Sequence, residues 1–264
     1  MNPYELNGDS LLVERGARIA TLTLNRPQQH NALSRQLREN LTRAFLAIEA
    51  DDEIDVVIIT GAGSHAFCAG VDLKELETSP LTPDDMGYDC AFMQALAALR
   101  KPMIAAVNGI AVAGGFEIAG HCDLIVAAEH ARFADTHSRV GIVSAWGFTQ
   151  TLGQLVGPMR ARYLSFTGNY IDARTAQDWG LTIDVVAAAD LLPRCRQLAA
   201  EIASCDQTTL RKVRSCMRLG ENQSVADGLK LEAQYAKACV VDLDMAAFVQ
   251  RREAVMRRGR TQQS

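Results

Sequence analysis

The chain has 264 residues, 48% of them hydrophobic and 22% charged, with a formal net charge of −4. That length and composition allow a large buried core in a globular protein. The acidic balance argues against broad nucleic-acid binding or attachment to an anionic membrane, both of which favour a basic surface, and no apolar run reaches the ~20 residues that span a bilayer.

The first residues, up to Arg15, contain no apolar stretch of signal-peptide type. Residues 19–24 alternate apolar with small or polar side chains and read as a strand, stopped at Asn25-Arg26-Pro27. Ser34 then fits a helix N-cap, with apolar positions recurring at Leu37, Leu41, Ala44, Phe45 and Ile48. Residues 55–60 form a short β-branched run, as expected of a strand covered on both faces, and Gly61-Ala62-Gly63 closes it. Residues 102–107 and 123–128 repeat the pattern, with helical segments between them. From about Met159 the character changes. Apart from a strand-like run over 182–186, helical patterns dominate, at 191–204, 207–219, 224–239 and 242–256. No long linker, low-complexity tract or clear internal repeat is visible, so the residues predict an α/β core followed by a helical region.

Two glycine-bearing segments each follow a strand and lead into a helix: 65–74, with Ala69-Gly70-Val71-Asp72, and 108–117, with Gly114-Gly115-Phe116-Glu117. Small residues let backbone approach a ligand, and a helix start leaves N–H groups without internal partners. Two such loops can aim two amides at one oxygen, as an oxyanion hole does. Either loop alone reads better as a tight turn, because a strand–Gly–helix junction is common. Neither is a phosphate loop, a dinucleotide fingerprint or a nucleophile elbow. Glu117 sits in the run 110–119, whose other members are apolar or glycine, where a carboxylate is costly unless paired. Residues 132–142 place Asp135, Thr136 and His137 between apolar neighbours, and His137 is a candidate general acid or base. His121-Cys122-Asp123 superficially resembles metal ligands, but adjacent side chains on a strand point to opposite faces, so no metal is expected. Seven cysteines without a C-x-x-C pair read as reduced thiols, and a cytoplasmic location is expected.

Taken together, these segments resemble the crotonase superfamily (the enoyl-CoA hydratase/isomerase proteins) over about residues 10–255. The likeness rests on Leu24-Asn25-Arg26-Pro27 with Asn31-Ala32-Leu33, on 56–61, on 66–74, on 101–117 with Cys122-Asp123, and on 133–150. It implies a spiral of repeated ββα turns over residues 1–195 that holds the CoA and acyl site, and a helical trimerisation region over 196–264. Homotrimers, or hexamers built as dimers of trimers, are implied as well. By the same likeness the oxyanion donors are the amides of Val71 and Gly114, and adenine and pantetheine lie along Arg26, Ala32, Ala69, Asp72 and Leu73. Phe248 and Arg251 match positions that contact the CoA nucleotide, often across a subunit boundary. The implied substrate is an acyl-CoA thioester, without metal or redox cofactor. The hydratases of this family use two glutamates: Glu117 matches the first, and His137 aligns with the second. The reading is therefore hydration of a trans-2-enoyl-CoA with Glu117 and His137 as the acid/base pair, and with Asp135 either reaching the site or holding His137 by Nδ1. Double-bond isomerisation, thioester hydrolysis and non-catalytic acyl-CoA binding are the alternatives. A Pro-Gly usual in the family is replaced by Ser144-Ala145, and Trp146 and Phe148 stand where relatives carry small residues. A narrowed or reshaped acyl pocket is expected from them.

Overall fold

The computed structural model describes residue 4, residues 6–241 and residues 243–262. The first hairpin joins β1 (Leu11–Gly16) to β2 (Ile19–Leu24) through Ala17-Arg18, both at positive φ, the geometry that suits a two-residue connection to the twist of paired strands. Next comes α1 (Arg35–Ala50), whose Ser34 side chain accepts a hydrogen bond from Leu37 N at 3.2 Å. Its stripe of Leu37, Leu41, Ala44, Phe45 and Ile48 is fully buried, each large side chain contributing about 1.5–3 kcal/mol. The far end of α1 is closed by the buried Lys101 ammonium, which donates to the Ile48 and Asp51 carbonyls.

Three ββα turns follow. The first is β3 (Val56–Gly61), β4 (Ala66–Cys68) and helices α2 (Leu73–Leu76) and α3 (Ala91–Ala98). The second is β5 (Met103–Val107), β6 (Ile110–Val112) and α4 (Gly114–His121). The third is β7 (Leu124–Ala128), β8 (Arg132–Ala134) and α5 (His137–Val140). After these come α6 (Phe148–Val156), α7 (Pro158–Thr167), β9 (Ile171–Asp172), α8 (Ala173–Asp178), β10 (Asp184–Val186) and α9 (Leu191–Ala203). The first strand of each turn joins one sheet, of order β1-β2-β3-β5-β7-β10, and the second strand joins another, of order β4-β6-β8-β9. Within each sheet the strands contributed by successive turns run parallel, which a crossover connection requires.

The central strands of the larger sheet, β2, β3, β5 and β7, are buried on both faces, and their alternation shows how. Val57, Ile59, Ala105, Val107, Ile125 and Ala127 point into the main core with α1, while Val56, Ile58, Ile104, Ala106, Val126 and Ala128 meet Leu191, Cys195 and Ala199 of α9. The predicted division at 195/196 falls within α9. The first compact unit runs to Cys205, because α9 is the cover of the sheet rather than the start of a separate helical region. The second unit begins at Asp206 and contains α10 (Gln207–Gly220), α11 (Val225–Val241) and α12 (Met245–Gln262). Asp206 caps α10 by accepting from Thr209 N and pairs with Arg251 of α12 at 2.6 Å. The predicted start of the last helix at Asp242 lies outside the described residues.

Candidate active site

Both glycine loops converge beside one cavity. After β4 the chain turns at Gly70, with φ of 83°. Leu33 N then donates to Gly70 O at 2.8 Å, and Asp72 N donates to Leu33 O at 3.3 Å, forming a parallel bridge between Leu33 and Val71. In such a bridge the residue between the two bonds turns its own N–H to the opposite side. The Val71 amide therefore faces away from Leu33. On the second loop, Ala113 at φ 47° and ψ −119° swings β6 sharply into α4, a conformation costly for a residue with a Cβ and typical of functional sites. The helix begins at Gly114, whose first-turn N–H has no acceptor inside the helix. Neither amide donates to a protein acceptor among the described residues. A Cβ on Gly70 would lie 3.1 Å from Gly114 N, and one on Gly115 would lie 2.2 Å from Cys68 O, so only glycine allows the loops to approach this closely. Val71 and Gly114 both line the cavity.

One turn into α4, Glu117 points into the same cavity and is 2% exposed. Its Oε1 accepts from Ser144 Oγ at 2.6 Å and from Trp146 N at 3.0 Å. Its Oε2 faces His137 Nε2 at 3.3 Å. His137 opens α5 directly after β8, and its Nδ1 meets Asp135 Oδ1 at 2.7 Å. Asp135 Oδ2 in turn accepts from Ser165 Oγ of α7 at 2.5 Å. Burial opposes a charged imidazole, but the hydrogen bonds to Asp135 and Glu117 and the charges of both outweigh it, raising the His137 pKa to about 9. Burial likewise pushes the Asp135 carboxyl up, yet the His137 and Ser165 contacts prevail and hold it below the usual carboxylate range. At neutral pH the ring is an imidazolium that donates from both nitrogens. Asp135 reaches the ring at Nδ1, on the side opposite Glu117.

Apart from Thr136, the remaining wall is apolar, with Leu73, Leu81, Met86, Val140, Ile142 and Trp146 its large side chains. The indole of Trp146 packs on Phe92, ring centroids 5.1 Å apart, and a Cβ on Gly114 would lie 2.8 Å from its Cζ3. His121 supports this segment through a hydrogen bond between Nε2 and Trp146 O at 2.7 Å. Phe148 is a correction: it lines no part of the cavity but packs edge-on against Phe116 in the core, centroids 4.7 Å apart. A second correction concerns His121 and Cys122. They close and cap α4 and do not alternate along a strand.

Five of the expected ligand-contacting residues fall together. Arg26 Nη2 pairs with Asp72 Oδ2 at 2.8 Å, and Arg26 Nη1 donates to Ala32 O at 2.5 Å. Asp72 also accepts from Lys74 N and Glu75 N, capping α2. Burial raises its pKa, but Arg26 and the α2 amides outweigh burial and hold it below the usual range. Ala69 and Leu73 line the cavity beside them. Phe248 and Arg251 lie on α12 of the second unit, where Arg251 is engaged by Asp206. The sequence reading missed Ser165, Leu81 and Met86. Ser165 is a helix hydroxyl thirty residues from Asp135, and Leu81 and Met86 sit in a polar stretch without periodicity. Ser144 was singled out as a replacement, but no sequence signal tied it to Glu117.

Comparison with known proteins supplies the context. A family model described as enoyl-CoA hydratase/isomerase matches residues 14–258. A probable enoyl-CoA hydratase of Mycobacterium leprae is 36% identical, the match covering 92% of this chain and 96% of that protein. A crotonyl-CoA hydratase of Syntrophomonas wolfei is 32% identical, with 93% and 97% covered. Among solved structures, an enoyl-CoA hydratase from Bacillus anthracis superposes with a TM-score of 0.85 at 32% identity, covering 93% of this chain and 96% of that one.

Proposed function

Because this chain belongs to the enoyl-CoA hydratase/isomerase family, we propose that its cavity adds water to a trans-2-enoyl-CoA with Glu117 and His137 as the acid/base pair. The fold is the crotonase-like α/β spiral with a helical C-terminal region, and the protein is an enoyl-CoA hydratase-like hydro-lyase. The observation that carries the residue assignment is the 3.3 Å contact between His137 Nε2 and Glu117 Oε2 in the cavity that Val71 and Gly114 also line.

In this reading the thioester oxygen accepts from the Val71 and Gly114 amides, which stabilise the charge that develops on it. Ser144 and Trp146 occupy Oε1 of Glu117, so Oε2 is the oxygen that takes the proton of a water attacking Cβ. The resulting enolate takes a proton at Cα from His137 Nε2, and the reverse path dehydrates the 3-hydroxyacyl thioester. The pantetheine and adenine of CoA run along Arg26, Ala32, Ala69, Asp72 and Leu73, and Phe248 and Arg251 of a neighbouring copy meet the nucleotide. The acyl-CoA is the only partner the chemistry needs, and no cofactor beyond the CoA of the substrate takes part. Exposed Met217, Val225, Val240 and Met256 on α10–α12 support use of the C-terminal helices in a homotrimer or hexamer. We place the protein in the cytoplasm, in keeping with its free cysteines.

The test is the mass of the product formed from a panel of trans-2-enoyl-CoA thioesters by the purified protein. A gain of one water supports hydration. Unchanged mass with a shifted double bond assigns isomerisation, free CoA thiol assigns hydrolysis, and tight binding without turnover across the panel overturns the enzymatic reading.

A further inference from the structure

We propose that Asp135 is the positioning residue that makes His137 a proton donor to substrate carbon, holding Nδ1 so that Nε2 carries its hydrogen toward Glu117 and the cavity. The inference rests on the hydratase reading above and goes beyond it by naming what arms the second catalytic position.

An imidazolium free to rotate aims its N–H groups in many directions, and only one orientation points Nε2–H at Glu117 and the cavity. Three contacts remove that freedom. Asp135 Oδ1 lies 2.7 Å from His137 Nδ1, and the His137 backbone N–H donates to the same oxygen at 3.3 Å. The second oxygen, Oδ2, accepts from Ser165 Oγ of α7, which fixes the carboxylate plane. Asp135 is 3% exposed, so water does not dilute its charge at the ring. The charged groups acting on His137 are Asp135 from its own loop and Glu117 from α4, while α7 contributes the Ser165 hydroxyl.

The consequence is a donor of a different charge type from a carboxylic acid. A carboxyl group must start neutral and ends anionic. His137 starts cationic and ends neutral, so the proton leaves without creating a new charge beside Glu117. In the protonation step the Nε2–H bond breaks, its electron pair stays on nitrogen, and the enolate π pair forms the Cα–H bond. Glu117 meanwhile holds the proton taken from water. Across the Oε2–Nε2 contact that O–H bond breaks and the N–H bond re-forms, and both groups return to their starting states.

The experiment compares wild type with Asp135→Asn and the milder Ser165→Ala. Histidine is labelled with ¹⁵N, and the His137 signal is identified by its loss in His137→Gln. The His137 titration should fall by about one unit or more in Asp135→Asn, and by less in Ser165→Ala. Hydration kcat should lose its alkaline limb in parallel, falling about tenfold more at high pH than at low pH, with KM for the thioester little changed. A rate loss equal at every pH, or an unmoved His137 titration in folded Asp135→Asn protein, overturns the proposal. If wild type fails to hydrate any thioester, the hydratase reading falls, and the titration still decides whether Asp135 arms the ring.

Discussion

His137 Nε2 and Glu117 Oε2 stand 3.3 Å apart, brought together from the starts of two helices that follow the second strands of successive ββα turns. Groups that exchange a proton act as one unit, and this dictates how their variants combine. Glu117→Gln and His137→Ala should each lose roughly 10²–10⁴-fold in hydration kcat. The double variant should lose little more than the worse single variant, because the second deletion removes a partner already idle. Multiplicative losses would show that the two groups work separately.

Gly70 tests the other half of the site. Its φ of 83° disfavours any Cβ, and the Cβ of an alanine would lie 3.0 Å from Val112 O and 3.1 Å from Gly114 N, backbone atoms that cannot swing aside. Gly70→Ala should therefore spread the two amides and reduce kcat by about 10²-fold or more, the loss typical of one missing oxyanion donor. Binding of free CoA should be nearly unaffected, since Arg26 and Asp72 are untouched. Full activity would show that the Gly114 amide is not part of the oxyanion site.

Much of this arrangement was legible in the residues. The β-branched run of β3 and the apolar stripe of α1 both encode burial directly, one by covering two faces and the other by its period of 3.6. Glu117 was visible because a carboxylate is conspicuous in an apolar run. The resemblance, not the residues, pointed to the second sheet: β4, β6 and β8 have three residues each, too short for an alternation signal, and β4 and β6 lie inside the glycine-bearing segments. For the same reason the ββα repeat left no trace as a sequence repeat. The link from Ser165 to Asp135 joins α7 to a loop thirty residues away, a distance no local pattern encodes, and Phe148 was misplaced because adjacency to Trp146 says nothing about which side of α6 a ring takes.

Trp146 closes the cavity between Gly114 and Phe92, so it should limit the acyl group. Trp146→Ala would remove a buried indole, at about 3–5 kcal/mol of stability, and open space toward α3. In a chain-length series of enoyl-CoA thioesters, the optimum in kcat/KM should move to longer or bulkier acyl groups, with Trp146→Phe between the two proteins. An unchanged preference in folded Trp146→Ala would reject a role in acyl selection.

The linkage between His137 and its carboxylates also fixes how stability depends on pH. The ring titrates at about 9 in the folded protein against 6.5 for the free side chain. A raised folded pKa means that the native state binds the proton more tightly than the unfolded chain. The stabilisation is fully present below 6.5 and is lost as pH rises through 9. Asp135 has the opposite sign, with a folded pKa below its ordinary 3.8, so its contribution is present above that value and is lost as pH falls through the lower one. Urea unfolding of wild type and His137→Gln between about pH 6 and pH 10 should show the wild-type advantage shrinking steadily across the window. A difference that stays constant would mean that the ring is not held as an imidazolium between Glu117 and Asp135.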